Sequence, residues 1–134
     1  MRADLTERLF SEFPDLYAAR RVADTRLASD GIAVGDGWFE LLRDLSAQLD
    51  SLSSRPLALQ VKQKFGGLRL YLVPGTRSDA ARALIRTADE RSFRTCERCG
   101  ATGTLRRFET GLMTTCADHA EGSEPCEDTD ALLS

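Results

Sequence analysis

Two short knuckles constrain what this chain can fold into. Cys96-Glu-Arg-Cys99-Gly100 opens the first, sixteen residues separate Cys99 from Cys116, and Cys116-Ala-Asp-His119 forms the second. C-x-x-C with C-x-x-H is the donor set and spacing of a tetrahedral zinc site. Two residues between donors let both side chains of a knuckle turn toward one ion, and Gly100 relieves the tight backbone turn that this requires. Cys96, Cys99, Cys116 and His119 are therefore expected to bind one structural zinc ion. No fifth residue in the segment is left to serve as a general base, so the site is expected to be closed.

Other uses of these residues were weighed. Cys126 lies ten residues beyond Cys116. It can replace His119 as a ligand only at the cost of closing a longer loop. It is therefore expected to be a free thiol. A disulfide framework belongs to small secreted proteins. The opening string Met1-Arg-Ala-Asp-Leu-Thr-Glu-Arg8 carries charges where a secretion signal needs an apolar run. A redox C-x-x-C opens a helix after a strand in a thioredoxin-like unit, a pattern absent here. The compartment these features imply is a reducing one, the cytoplasm.

At 134 residues and 42% hydrophobic, the chain can bury one modest core. No stretch of 18 apolar residues is present to span a membrane. The net charge of −3 conceals a pattern: −4 over residues 1–54, +6 over 55–119 and −5 over 120–134. A basic middle between acidic ends either meets an acidic partner or is neutralised within the molecule.

The fold class read from the pattern is α+β. A helix is expected over Asp4–Phe13, with Asp4 and Glu7 resembling a capping box. A second is expected over 15–28, followed by a turn-rich loop from Ser29 to Gly37. Trp38, Leu41, Leu42, Leu45, Leu49 and Leu52 form one apolar stripe of a helix with Asp36 as its N-cap. Trp38 reads as a core anchor, with partner binding as the alternative. Ser78 caps a further helix to Ser92. Thr104–Phe108 and Leu112–Cys116 read as a hairpin across Thr110-Gly111. The expected organisation is an α+β core over 1–93, a zinc ribbon lobe over 94–119 packed on it, and an acidic flexible tail over 120–134.

Between the long helices lies a strong hairpin signal. Leu57, Leu59, Val61, Gln63 and Phe65 alternate with Ala58, Gln60, Lys62 and Lys64, and Leu68, Leu70 and Leu72 return after Gly66-Gly67. With those glycines as the turn, Lys64 faces Arg69 and Lys62 faces Tyr71. Like charges placed opposite each other cost stability unless an anion lies between them. That anion is an internal carboxylate, a phosphate or an acidic partner. The only two lysines of the chain are on this strand, beside 16 arginines. Lys62, Lys64, Arg69 and Tyr71 are thus the candidate partner or anion-binding patch. The alternative is lysines guarding a sheet edge.

Three strings together carry a resemblance: Gly35-Asp-Gly-Trp-Phe39, Gln60-Val-Lys-Gln-Lys-Phe-Gly-Gly-Leu-Arg-Leu-Tyr71, and the paired knuckles. Over most of residues 30–119 the chain resembles a group of small uncharacterised proteins from bacteria and their phages. The resemblance implies one compact unit, with the zinc lobe attached to the hairpin-helix core. A distribution over phages and bacteria further implies roles in conflict, such as toxin neutralisation or defence inhibition. Catalysis is not expected. The single histidine is claimed by zinc, so no Ser-His-Asp set can be built. There is also no G-x-x-x-x-G-K-[ST] loop for a nucleotide. The expected function is a non-enzymatic, zinc-stabilised protein-binding module of inhibitor or immunity type, with no small-molecule cofactor. The alternative is a nucleic-acid-binding zinc ribbon using the basic segment 55–119, with Arg94, Arg98, Arg106 and Arg107 on the lobe.

Overall fold

The apolar stripe that starts at Trp38 organises the N-terminal part of the chain. In a computed structural model, which describes residues 1–126, this stripe becomes α3 (Phe39–Asp50), with Leu41, Leu42, Leu45 and Leu49 buried. Before it come α1 (Ala3–Glu12), α2 (Arg26–Asp30) and the short strand β1 (Ile32–Ala33). After it come β2 (Ala58–Lys64), β3 (Gly67–Leu72) and α4 (Asp79–Ser92). Ser78 caps α4 by accepting from Ala81 N at 3.1 Å, and Ala81 and Ala88 form its buried face. These two small residues let α4 lie close against α3. The chain is thus α+β, with four α-helices and two three-stranded sheets among the described residues. No helix among the described residues is long and apolar enough to cross a membrane.

Several local expectations give way to tertiary contacts. Asp4 caps nothing: α1 begins at Ala3 without a side-chain cap, and Asp4 pairs with Arg2 at 3.2 Å. Asp36 likewise does not cap α3. Its carboxylate accepts from Arg2 N at 2.7 Å instead, tying the chain start to the Gly35–Gly37 segment. Asp36–Trp38 is a 3₁₀ turn, and the α-helix starts one residue later than expected, at Phe39. The helix expected over 15–28 is broken into a 3₁₀ turn, Ala18–Arg21, and α2. Thr25 causes the break: its hydroxyl donates to Ala19 O and accepts from Ala28 N, so it starts a new helix rather than continuing one. The turn-rich loop over 29–37 contains β1, which pairs in parallel with β2 through Ile32 and Val61. Two residues of strand are too few to show an alternation in sequence.

The hairpin forms, but its turn is Phe65-Gly66, one residue earlier than expected. Lys64 pairs with Gly67, Gln63 with Leu68, Lys62 with Arg69 and Gln60 with Tyr71. Phe65 and Gly66 have φ of 55° and 87°, the positive pair of a type I′ turn. A register irregularity between Ala58 and Gln60 turns Ala58 into the core in place of Leu59.

The C-terminal lobe is the second sheet: β4 (Thr104–Phe108), β5 (Gly111–Thr115) and β6 (Ser123–Pro125), in the order β5-β4-β6. The expected acidic tail therefore begins later than residue 120. Ser123–Pro125 pair with β4, and Arg106 Nε donates to Ser123 Oγ at 2.6 Å. The rest of that expectation, residues 127–134, lies outside the described residues.

Tyr17 sits fully buried and shares a 2.7 Å hydrogen bond with Ser46 Oγ. Burial pushes its phenol up to about 12, against a smaller lowering by Ser46. The folded pKa lies above the unfolded value of about 10, so this group's contribution is complete below about pH 10 and lost as pH rises toward 12. At most about 2–3 kcal/mol disappears over that interval. In thermal melts from pH 8 to 12, Tyr17→Phe is expected to be less stable than wild type at pH 8, because Ser46 loses its partner. It should then decline less steeply above pH 10. Parallel declines in the two proteins would contradict this.

Candidate metal centre and the lobe it joins

Each knuckle is a tight turn of backbone. Cys96 N donates to Ala101 O at 2.7 Å and Gly100 N to Cys96 O at 2.9 Å, which folds Cys96–Ala101 back on itself. Gly100 sits at a φ of 85° in that turn. At the other side of the site, β5 delivers Cys116, and the 3₁₀ turn Ala117–His119 brings the histidine back. The donor atoms of Cys96, Cys99, Cys116 and His119 all lie within 4.8 Å of one another.

Two of the separations match the edges of a tetrahedral site, and a third is shorter. Cys99 Sγ is 3.6 Å from Cys116 Sγ, and His119 Nδ1 is 3.7 Å from Cys96 Sγ and 3.2 Å from Cys116 Sγ. Bonds of about 2.3 Å to sulfur and about 2.0 Å to nitrogen give tetrahedral edges of about 3.5–3.8 Å. The four residues can therefore hold a metal ion, with His119 offering Nδ1. Cys126 is not part of this group.

The environment favours a thiolate at Cys96, while at Cys99 the Ala101 N–H is outweighed by desolvation and by the Cys116 and Cys96 thiols, which push the thiol up. Burial pushes the Cys96 thiol up, but backbone N–H groups of Cys116, Cys99 and Arg98, with the Cys99 thiol, outweigh it and bring the thiol down to about 7. A sulfur that backbone amides already serve as a charged acceptor is prepared for a cation.

Glu97, inside the first knuckle, was treated by sequence reasoning as a spacer. It is buried, at 6% exposure, and it joins the first knuckle to β5 of the lobe and to two segments outside it. Its N–H donates to Thr114 O at 2.9 Å, and its carbonyl accepts from Gly37 N at 2.7 Å. Its carboxylate accepts from Gly35 N at 2.9 Å and from Gln63 Nε2 at 3.3 Å. Gln63 in turn donates to Leu112 O, and Thr114 Oγ1 donates to Gly66 O at the hairpin turn. Trp38 Nε1 donates to Thr95 O at 2.8 Å, so its buried ring also ties α3 to the approach of the first knuckle. At Gly37 an added Cβ would overlap Cys96 O, and at Gly35 it would overlap Glu97 O. The strings Gly35–Phe39, Gln60–Tyr71 and Cys96–Gly100 thus converge at one place. Their convergence has no periodicity, so the only signal in the sequence is glycines in the first two strings beside a polar residue within the third.

The candidate patch is only partly assembled. Lys62, Lys64, Arg69 and Tyr71 share the hairpin face opposite Val61 and Leu70. Lys62, not Lys64, stands opposite Arg69. The anion that a like-charge pair calls for is internal: Arg69 Nη1 lies 3.1 Å from both carboxylate oxygens of Asp89 on α4. Burial pushes the Asp89 carboxyl up, while Arg69 opposes that shift. Lys62 Nζ is 5.7 Å from the Tyr71 ring centroid, and Lys64 Nζ is 5.6 Å from that of Phe65. Of the lobe arginines, Arg94 and Arg98 are exposed, while Arg106 is held by Ser123.

No protein-family model matches the chain, and no curated protein or solved structure is detectably similar to it.

The ligand set has a direct check. Cys116→Ser is expected to lose the metal and to unfold at least residues 94–119, since metal binding and folding are coupled here. Cys126→Ser should retain one equivalent. Elemental analysis that finds metal lost from Cys126→Ser but kept by His119→Ala would overturn the assignment.

Proposed function

We propose that the chain is a zinc-stabilised, non-enzymatic protein-binding module, of the inhibitor or immunity type that its resemblance to small bacterial and phage proteins implies. The metal is zinc, as a donor set of three thiolates and one imidazole favours that ion. Its role is structural: four protein donors would fill a four-coordinate shell, and the chain's one histidine is among them. The working surface is the outward face of the hairpin, where Lys64 lies next to the tip and Lys62 and Tyr71 continue the face away from it. The chain acts in a reducing compartment, where its thiolates persist.

One observation carries this reading. Phe65, at the tip, is 66% exposed and holds a φ of 55°. A non-glycine residue in that conformation costs about 1–2 kcal/mol, and Asn-Gly is the pair that the turn itself prefers. An exposed aromatic therefore occupies a position where the fold would be better served by asparagine. Exposed aromatics beside cations are the residues that anchor protein interfaces. Tyr71, at 37% exposure, extends the same face.

Phe65→Asn is expected to melt at the same temperature as wild type or higher, yet to lose its partner. Tagged wild type should retain one protein from its native host on affinity capture and through size exclusion, and the variant should bind that protein at least about tenfold more weakly, or about 1.4 kcal/mol. A variant that binds the partner equally well would sink the role of the hairpin tip. Salt-dependent retention of generic DNA or RNA, with no protein retained, would favour the nucleic-acid alternative.

A further inference from the structure

The four donors of the metal centre are not equally sheltered. Cys96 is fully buried, Cys116 and His119 are half-buried, and Cys99 is exposed. Cys99 also lines a groove of about 450 Å³ that runs between the chain start, residues 36–41 and the first knuckle. A small solute therefore reaches its sulfur both from open solvent and along this groove. Held with an ion, that sulfur is a thiolate, the form that reacts with peroxides.

A second sulfur stands beside it. Cys99 Sγ is 3.6 Å from Cys116 Sγ. A disulfide needs about 2.05 Å, so the two must approach by about 1.5 Å. Neither is held inside a long regular element. Cys99 lies in the turn that Gly100 closes, and Cys116 follows the last residue of β5 at the start of a 3₁₀ turn. Cys96 is a poorer partner, because it is 0% exposed and backbone N–H groups of Cys116, Cys99 and Arg98 fix its sulfur.

We infer that Cys99 and Cys116 are a peroxide-responsive pair, whose oxidation to a disulfide releases the metal and loosens the C-terminal lobe. The inference rests on the zinc reading above. The Cys99 thiolate attacks the terminal oxygen of a hydroperoxide. The O–O bond breaks, the other oxygen leaves and takes a proton from water, and Cys99 becomes a sulfenic acid. The Cys116 thiolate then attacks the Cys99 sulfur, the S–O bond breaks, and the departing hydroxide is protonated to water. The two sulfurs have then given two electrons to the peroxide, balanced by two protons from solvent. Neither remains a thiolate donor, which leaves Cys96 and His119 for an ion that takes four ligands. The lobe buries too little apolar surface to hold its order alone, so the Glu97 contacts to Gly35 and Gln63 lose their support. In a reducing compartment such a disulfide is transient, and thiol reductants reset it.

Stepwise addition of hydrogen peroxide to the zinc-loaded full chain, with free glutathione present at an equal thiol concentration, tests this. Zinc read with a chromogenic chelator should leave in step with a mass loss of two hydrogens, before the glutathione is consumed. Peptide mapping should find Cys99 joined to Cys116, and dimedone present during the reaction should label Cys99 first. Dithiothreitol with added zinc should restore the metal. β4 lies between β5 and β6, so trypsin should cut after Arg106 and Arg107 at least about tenfold faster in the oxidised chain. Cys126→Ser should respond like wild type. Cys99→His keeps four donors and should hold its zinc against at least about tenfold more peroxide. If that variant takes up no zinc, the label and the link in wild type decide. A Cys96–Cys99 link, a link to Cys126, first labelling at any other cysteine, or unchanged trypsin cleavage overturns the inference. Zinc that stays bound while the glutathione is oxidised overturns it too, and leaves the zinc reading intact. A chain that binds no zinc at all overturns the zinc reading itself.

Discussion

The structure depends on a close backbone approach: the Gly35–Gly37 segment lies against the first knuckle, with Gly37 N 2.7 Å from Glu97 O. A side chain at either glycine would occupy the space of the knuckle backbone. The knuckle's turn is closed by Cys96 N donating to Ala101 O and Gly100 N to Cys96 O, and an ion shared by Cys96, Cys99, Cys116 and His119 would fix it further. An ion held there would therefore be more than a local staple: Glu97, inside the first knuckle, contacts the Gly35–Gly37 segment, the hairpin and β5.

The burial pattern shows what an ion would add. The apolar core runs from Leu9 to Ala88 and includes no residue of the C-terminal lobe. In the lobe, Cys96 is the one buried hydrophobic residue among those described, and the other buried side chains are Glu97, Thr114 and Thr115. A sheet of this size with so little apolar burial cannot offset its own ordering entropy. Metal coordination by Cys96, Cys99, Cys116 and His119 would supply that free energy. The polar contacts of Glu97, Gln63 and Thr114 then specify one docking geometry, each contributing about 0.5–1.5 kcal/mol net. Those contacts hold the hairpin tip from one side and leave Phe65 facing out from the other.

How much was legible in the sequence follows from the range of each signal. The ligand group was readable because two-residue spacings are local, and the structure brings Cys96, Cys99, Cys116 and His119 together while leaving Cys126 apart. The α3 and α4 stripes were readable because they repeat over three or four turns. The misread elements lacked repetition. β1 is two residues long, the helix over 15–28 was interrupted by one threonine hydroxyl, and the Asp36 carboxylate was diverted from capping by Arg2. The hairpin register slipped by one because the Gly66-Gly67 pair offered two possible turns, and the sequence rule favoured the one without phenylalanine at positive φ. The expected Lys64–Arg69 pair does not form, and nothing local pointed to Asp89, twenty residues away on α4, as the partner of Arg69. Glu97 was missed for the same reason: all of its side-chain partners are more than thirty residues away in sequence.

Amide hydrogen exchange, read by NMR on metal-loaded and chelator-treated protein, tests the central claim most directly. The account predicts that removing the ion accelerates exchange at Gly35, Gly37 and Gly66 together with residues 94–119, while buried amides of α3, such as Leu45, remain protected. If Gly35, Gly37 and Gly66 keep their protection while the lobe exchanges freely, the metal centre holds only its own lobe, and the dependence described here is wrong.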